Sequence, residues 1–382
     1  MLFYKFISIA LVGLLLFSCK TARLSDAVAK EELGEYFDAA QIYRKVYSKT
    51  PGKNKALKGS VAFHMAECYR ITNNTQRALT AYRNAVRYEY KDSLSLLYTA
   101  QMEHKSGHYP EAIKYYNAYL EINPHSLPAI TGLAGCDSAL NREKHPSAYT
   151  VQRMDKFNSR RSEFAPMLFG KDYDRMYFSS SREEALGDSK SAVTGMKNND
   201  FFLVKKDDKG EWGAPEHVDD EINTEFDEGV CSFTSDGATM YYTSCLEDEA
   251  YSRSAAIYQS SRAGAKWNKG QYLEIFKDTL TMAAHPAVSP DGDCLYFVSD
   301  APGGQGGKDI WRMTLTGSAA NAVENLGPEI NTSGDEMFPY VRDSLSLYFA
   351  SDGRPGMGGL DIFKATKQAD GHWLVEHMGV PI

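Results

Sequence analysis

The chain of 382 residues is poor in tryptophan, with 4, and holds only 6 cysteines. Those cysteines stand at positions 19, 68, 136, 231, 245 and 294, a spacing too irregular for a disulfide framework. They form no paired spacing with histidine, so a zinc site of the Cys/His kind is excluded and no metal site is expected. No Gly-x-Ser-x-Gly elbow and no His-Glu-x-x-His helix occurs, which argues against hydrolase chemistry and leaves no catalytic residue to name. The net charge of −8, with a pI near 5.7, speaks against nucleic acid as a partner. Long apolar runs are absent too. The longest, from Ile7 to Phe17, is too short to cross a bilayer.

What that run does fit is a signal-peptide core, preceded by a single lysine and followed by Leu16-Phe17-Ser18-Cys19. Leucine three positions before a cysteine, with a small residue between, resembles the bacterial lipobox. The resemblance implies removal of residues 1–18 and lipidation of Cys19, which would tether the remainder to a membrane face. The alternative is an ordinary secretory signal with an incidental cysteine. Lys20, Thr21 and Ala22 follow Cys19 without an acidic export signal, so the expected position is the periplasmic face of the outer membrane.

Residues 20–148 carry a repeat. Gly34-Glu35-Tyr36 leads to Ala39, Tyr43, Val46 and Pro51; Asn73 leads to Ala78, Tyr82, Ala85 and Tyr90; Gly107-His108-Tyr109 leads to Ala112, Tyr116, Tyr119 and Pro124. Gly or Asn suits a left-handed helix end. Alanine lets paired helices approach, and Ala to Tyr at i+4 lies on one helix face. The pattern resembles the tetratricopeptide repeat, which implies an α-solenoid with a groove for a protein partner. A rigid spacer is the alternative. Leu127 to Leu140 is expected to cap the array. His104 and His108 straddle Gly107 and are expected at the surface of a turn. Cys68 and Cys136 are expected to pack as small apolar residues.

Residues 149–382 repeat differently. Met176-Tyr177-Phe178, Met240-Tyr241-Tyr242, Leu295-Tyr296-Phe297 and Leu347-Tyr348-Phe349 begin 64, 55 and 52 residues apart. Asp200-Phe201-Phe202, Ala256-Ile257-Tyr258, Asp309-Ile310-Trp311 and Asp361-Ile362-Phe363 keep pace with them. Asp236-Gly237 and Asp291-Gly292 supply hairpin turns. Glu221-Ile222-Asn223-Thr224 and Glu329-Ile330-Asn331-Thr332 mark crossings between units. The whole predicts an α+β multidomain chain: the solenoid, then four blades of a β-propeller. Val151 to Asn158 is expected to form a strand like the one that precedes each blade. With the chain's own last strand after Trp373, that makes one strand too many. An open arc or an incomplete ring is therefore expected, against a closed four-bladed ring with a loose strand.

The loops Gly303–Gly307 and Gly353–Gly359 are not phosphate cradles. Gly304-Gln305-Gly306 lacks the third glycine of a dinucleotide fingerprint, and Asp309 rather than Ser or Thr follows Lys308. Asp300, Asp309, Asp352 and Asp361 beside them are expected to cap backbone amides, a cation between loop and strand being the other reading. No cofactor is expected.

These blade motifs resemble the PD40 propeller repeat of TolB-type periplasmic proteins. Lipobox, tetratricopeptide repeats and PD40 blades in that order resemble the PorE-type lipoproteins of the Bacteroidetes. The resemblance implies a non-enzymatic scaffold at the periplasmic face of the outer membrane, linked to type IX secretion. Its partners would be proteins, held in the helical groove and on the propeller faces. A periplasmic sensor whose propeller binds a glycan or peptide is the competing class. The family's OmpA-type domain has no counterpart before Ile382, so peptidoglycan is expected as a partner only through a domain outside this chain.

Overall fold

A computed structural model describes residues 22–142, 146–187, 190–218, 221–245, 255–264, 266–278, 280–317 and 321–382. The signal segment and Cys19 lie outside them. Among the described residues seven helices come first: α1 (Leu24–Glu32), α2 (Tyr36–Lys49), α3 (Lys55–Ile71), α4 (Thr75–Arg87), α5 (Leu94–Lys105), α6 (Tyr109–Ile122) and α7 (Leu127–Arg142). Each packs on the next in sequence.

The turns form for a local reason, repeated three times. Gly34, Asn73 and Gly107 adopt φ of 75°, 55° and 76°. At each, the amide of that residue reaches back three positions and the following amide reaches back five, as from Glu35 to Lys30, Asn74 to Tyr69 and His108 to Glu103. This is the Schellman closure, and it satisfies carbonyls that the helix end would otherwise orphan. The helices then pair through Ala39, Ala78 and Ala112, all with no exposed surface, and through the nearly inaccessible rings of Tyr43, Tyr82 and Tyr116. Helix α7 caps the array as the pattern predicts.

Four antiparallel sheets follow. The first joins β1 (Glu163–Phe169), β2 (Arg175–Ser180), β3 (Asp200–Lys205) and β4 (Glu216–His217). The second joins β5 (Asp227–Phe233), β6 (Thr239–Cys245), β7 (Ala256–Ala263) and β8 (Lys266–Trp267), with β9 (Gln271–Tyr272) also on β7. The third holds β10 (Ala284–Val288), β11 (Cys294–Ser299), β12 (Asp309–Thr314) and β13 (Val323–Asn325). The fourth holds β14 (Glu336–Asp343), β15 (Ser346–Ser351), β16 (Asp361–Lys367) and β17 (Trp373–His377). Every sheet is a meander in chain order, and successive sheets pack face on face. The chain is thus a tetratricopeptide-type solenoid followed by four propeller-type blades.

Each innermost strand carries a bulge that the sequence motifs do not announce. Ala165, Val230, His285 and Phe338 take φ of 49°, 48°, 51° and 53°, and the register of the strand slips there in all four blades. The strained amide is met by the preceding blade: Val230 donates to Ser179 Oγ at 3.2 Å and His285 to Thr243 Oγ1 at 2.9 Å. In the next blade, Val298 stands where Ser179 and Thr243 stood and offers no acceptor. Phe338 donates instead to Nδ1 of His285 at 3.3 Å, and the two rings stack at 4.2 Å. Burial holds His285 near pKa 4, so the imidazole is neutral and Nδ1 is free to accept.

Two expectations need correction. Residues 151–158 form no strand; a turn over 155–157 seats Phe157 on Phe178 and Phe202, with Trp212 beside it. No surplus strand therefore exists among the described residues. Burial at one register position sets the fourth blade apart. Phe201, Ile257 and Ile310 hold one position in the third strand of blades one to three, and each is fully buried. Ile362, the same position in blade four, is 42% exposed. The forward face of the last blade is uncovered.

Candidate interaction site where the helical array meets the blades

The hydroxyl of each repeat tyrosine ends in the same slot, three residues before the turn. Tyr43 donates to Glu31, Tyr82 accepts from Arg70 Nε at 3.2 Å, and Tyr116 lies 3.3 Å from Nδ1 of His104. One geometry thus carries three chemistries, and the third sits at the junction with the blades. His104 is 4% exposed, which overturns its expected place on the surface. Its ring packs against the backbone of Gly356 in the loop before β16, and burial lowers its pKa. His108 does remain half-exposed, and pairs at 2.9 Å with Glu103. Glu103 is wholly buried and also binds Arg83. Sequence reasoning passed over this carboxylate because nothing local distinguishes it from a solvated helix residue.

The loop 353–359 is the plug of that junction. Met357 packs into the cluster built by Leu97, Tyr116, Tyr119 and Cys136 of the array. Both Arg142 guanidinium nitrogens donate to the carbonyl of Pro355, at 3.3 and 3.4 Å. Gly358, at φ 114°, lies so close that a Cβ there would sit 2.7 Å from the backbone of His104 and Lys105. Asp361 shapes the loop by accepting the amides of Met357 and Gly358, at 2.8 and 3.1 Å. Ser147 closes the seam, donating through both its amide and its hydroxyl to the carbonyl of Val380.

A second contact lies at the far end of the array. The amide of Phe37, at the start of α2, donates to the carbonyls of Ala192 and Val193 in blade one, and the Phe37 ring covers Gly195. The array therefore bridges from the first blade to the last.

Within the blades, the acidic residues act on the backbone. Asp309 accepts from the amide of Gln305 and from Asn325 Nδ2; Asp200 accepts from Leu186 and pairs with His217 at 2.6 Å. Asp300 and Asp352 cap Met282 and Asp335. The Asn-Thr crossings knit neighbouring elements. Asn223 exchanges bonds with the backbone of Phe201, and Asn331 does the same with Ile310. Thr224 and Thr332 clasp Glu228 and Glu336 at the start of the next blade, with Ser244 and Ser351 completing each set. Burial pushes Glu228 up to about 7 and raises Glu336 as well. Among the described residues no cluster of His, Cys, Asp or Glu is arranged to hold a metal ion. Cys231 and Cys245 face different partners across their hairpin, Tyr242 and Asp227, and both thiols are free.

Residues 72–126 match the family described as tetratricopeptide repeat. No curated protein sequence matches the chain. Three solved structures overlap it in part. TolB from Acinetobacter baumannii is 20% identical over 46% of this chain and 37% of its own, at a TM-score of 0.30. The MamA protein is 14% identical over 34% of this chain and 77% of its own, at 0.27. One of two prolyl endopeptidases is 15% identical over 56% of this chain and 28% of its own, at 0.33. The chain thus spans little more than a third of the TolB structure. The architecture stands on the chain's own helices and sheets and on the repeat match. No helix among the described residues is long and apolar enough to cross a membrane.

Proposed function

We propose that the chain is a non-catalytic scaffold lipoprotein on the periplasmic face of the outer membrane. Cys19 carries the lipid, the helical array grips one protein, and the blade faces engage another. Resemblance to PorE-type lipoproteins makes an accessory role in type IX secretion, or in envelope anchoring, the specific form of this reading. One observation carries it: a solenoid and a blade array, both repeat surfaces, are joined at two contacts, through loop 353–359 and through Phe37. Two binding surfaces held in fixed relation suit the bridging of partners. Lipid supplies the rest, because two or more acyl chains anchor an otherwise soluble body stably.

The test is made on the full chain in cells. Cys19→Ala should move the protein from the membrane pellet to the soluble fraction, and wild type should co-purify stoichiometric protein partners after crosslinking. Wild type found in the soluble fraction, or purified without any protein partner, overturns the proposal.

A further inference from the structure

Between the array and blades three and four lies a cavity of about 550 Å³, a volume suited to a small molecule. Arg70, His104 and Lys105 enter it from the array, and Lys308 and Arg354 from the blades. Two of these cations are already paired, Arg70 with Glu67 at 2.7 Å and Lys308 with Asp335 at 3.2 Å. Lys105 and Arg354 have no carboxylate at ion-pair distance among the described residues. Lys105 Nζ donates to Asn73 Oδ1, at 2.7 Å. Arg354 donates to the carbonyls of Glu329 and Ile330, and its Nε has no partner.

His104 is the independent sign of a ligand. It is 4% exposed and its Nε2 is unpaired, the Gly356 carbonyl approaching without completing a hydrogen bond. Nδ1 is taken up by the Tyr116 hydroxyl at 3.3 Å, which leaves Nε2 as the ring nitrogen open to a ligand. Asp335, Asp352 and Asp361 line the cavity as well, and each already accepts backbone amides: Asp361 those of Met357 and Gly358, Asp352 that of Asp335, and Asp335 that of Lys308. His104 Nε2 and Arg354 Nε are nonetheless left without acceptors, and a buried donor left unpaired is costly.

We propose that this cavity binds a small carboxylate- or phosphate-bearing molecule, which bridges His104 and Lys105 of the array to Arg354 of blade four. The anion supplies the missing acceptors and neutralises two unpaired cations at once.

Titration calorimetry on the full chain at constant ionic strength tests this, with inorganic phosphate and glucuronate as probes and glucose as the neutral control. Phosphate and glucuronate should bind and glucose should not. Lys105→Met, at the cavity mouth, should weaken phosphate at least tenfold, whereas Lys91→Met on the outer surface should leave it unchanged. Arg354→Met should weaken it likewise, with circular dichroism reporting whether that variant folds. Absence of phosphate binding, or equal affinity in wild type and Lys105→Met, overturns the proposal.

Discussion

Glu228 shows how a single buried carboxylate ties two blades together and what that costs. It is 1% exposed, accepts from Thr224 and Ser244, and still titrates near 7 because desolvation outweighs those bonds. The folded protein therefore holds a proton on Glu228 between the ordinary carboxylate value of 4.5 and about 7, while the unfolded chain has released it. Stability from this group is full below pH 4.5 and lost as pH rises through 7. Glu228→Gln removes the titration. Across that window the variant should gain on wild type by on the order of 3 kcal/mol, measured as the difference of urea midpoints at pH 4.5 and 7.5. A constant difference would show that Glu228 is ionised in the folded blade. His285, held near 4, acts in the opposite sense over pH 4 to 6.5, which is why the comparison is between the two proteins rather than along one curve.

At the scale of elements, the decisive piece is a loop rather than a helix or strand. Loop 353–359 joins β15 to β16 by position but belongs to the array by packing, because Met357 sits among the rings of α6. Glycines 356 and 358 permit that approach; any side chain at 358 would strike the backbone of α5. Met357→Asp places a charge in this apolar cluster and should release the plug while leaving both domains folded. We expect hydrogen exchange of the α5 and α7 amides to rise about tenfold, near 1.4 kcal/mol of local protection, with unchanged circular dichroism. Unaltered exchange would mean that the array holds its shape without the blade.

Over the whole molecule, blades stabilise one another in series, and among the described residues blade four has no neighbour on its forward side. The same register position shows it: Phe201, Ile257 and Ile310 are sealed, Ile362 is not. Ile310→Asp buries an unpaired charge between blades three and four and should cost upwards of 3 kcal/mol. Ile362→Asp, on the open face, should cost within about 0.5 kcal/mol. Thermal unfolding of the two variants side by side checks this, and equal losses would mean that the fourth blade's face is covered. The array reaches from Gly195 in blade one to Gly356 in blade four.

The sequence by itself determined what local periodicity can encode. Gly34, Asn73 and Gly107 phase the helices, Ala and Tyr at i+4 set their faces, and Asp-Gly turns with aromatic second strands define the blades. Even the capping role of the blade aspartates was legible, since a carboxylate a few residues after a glycine loop has little else to bind. What depends on distant residues came from the folded chain alone: the burial of His104, the meeting of Arg142 with Pro355 across 213 residues, and the acceptors for three of the four strained bulges. A position facing a neighbouring blade and one facing water share the same strand pattern, as Ile310 and Ile362 do. Burial belongs to the neighbour, and the neighbour lies outside the local sequence.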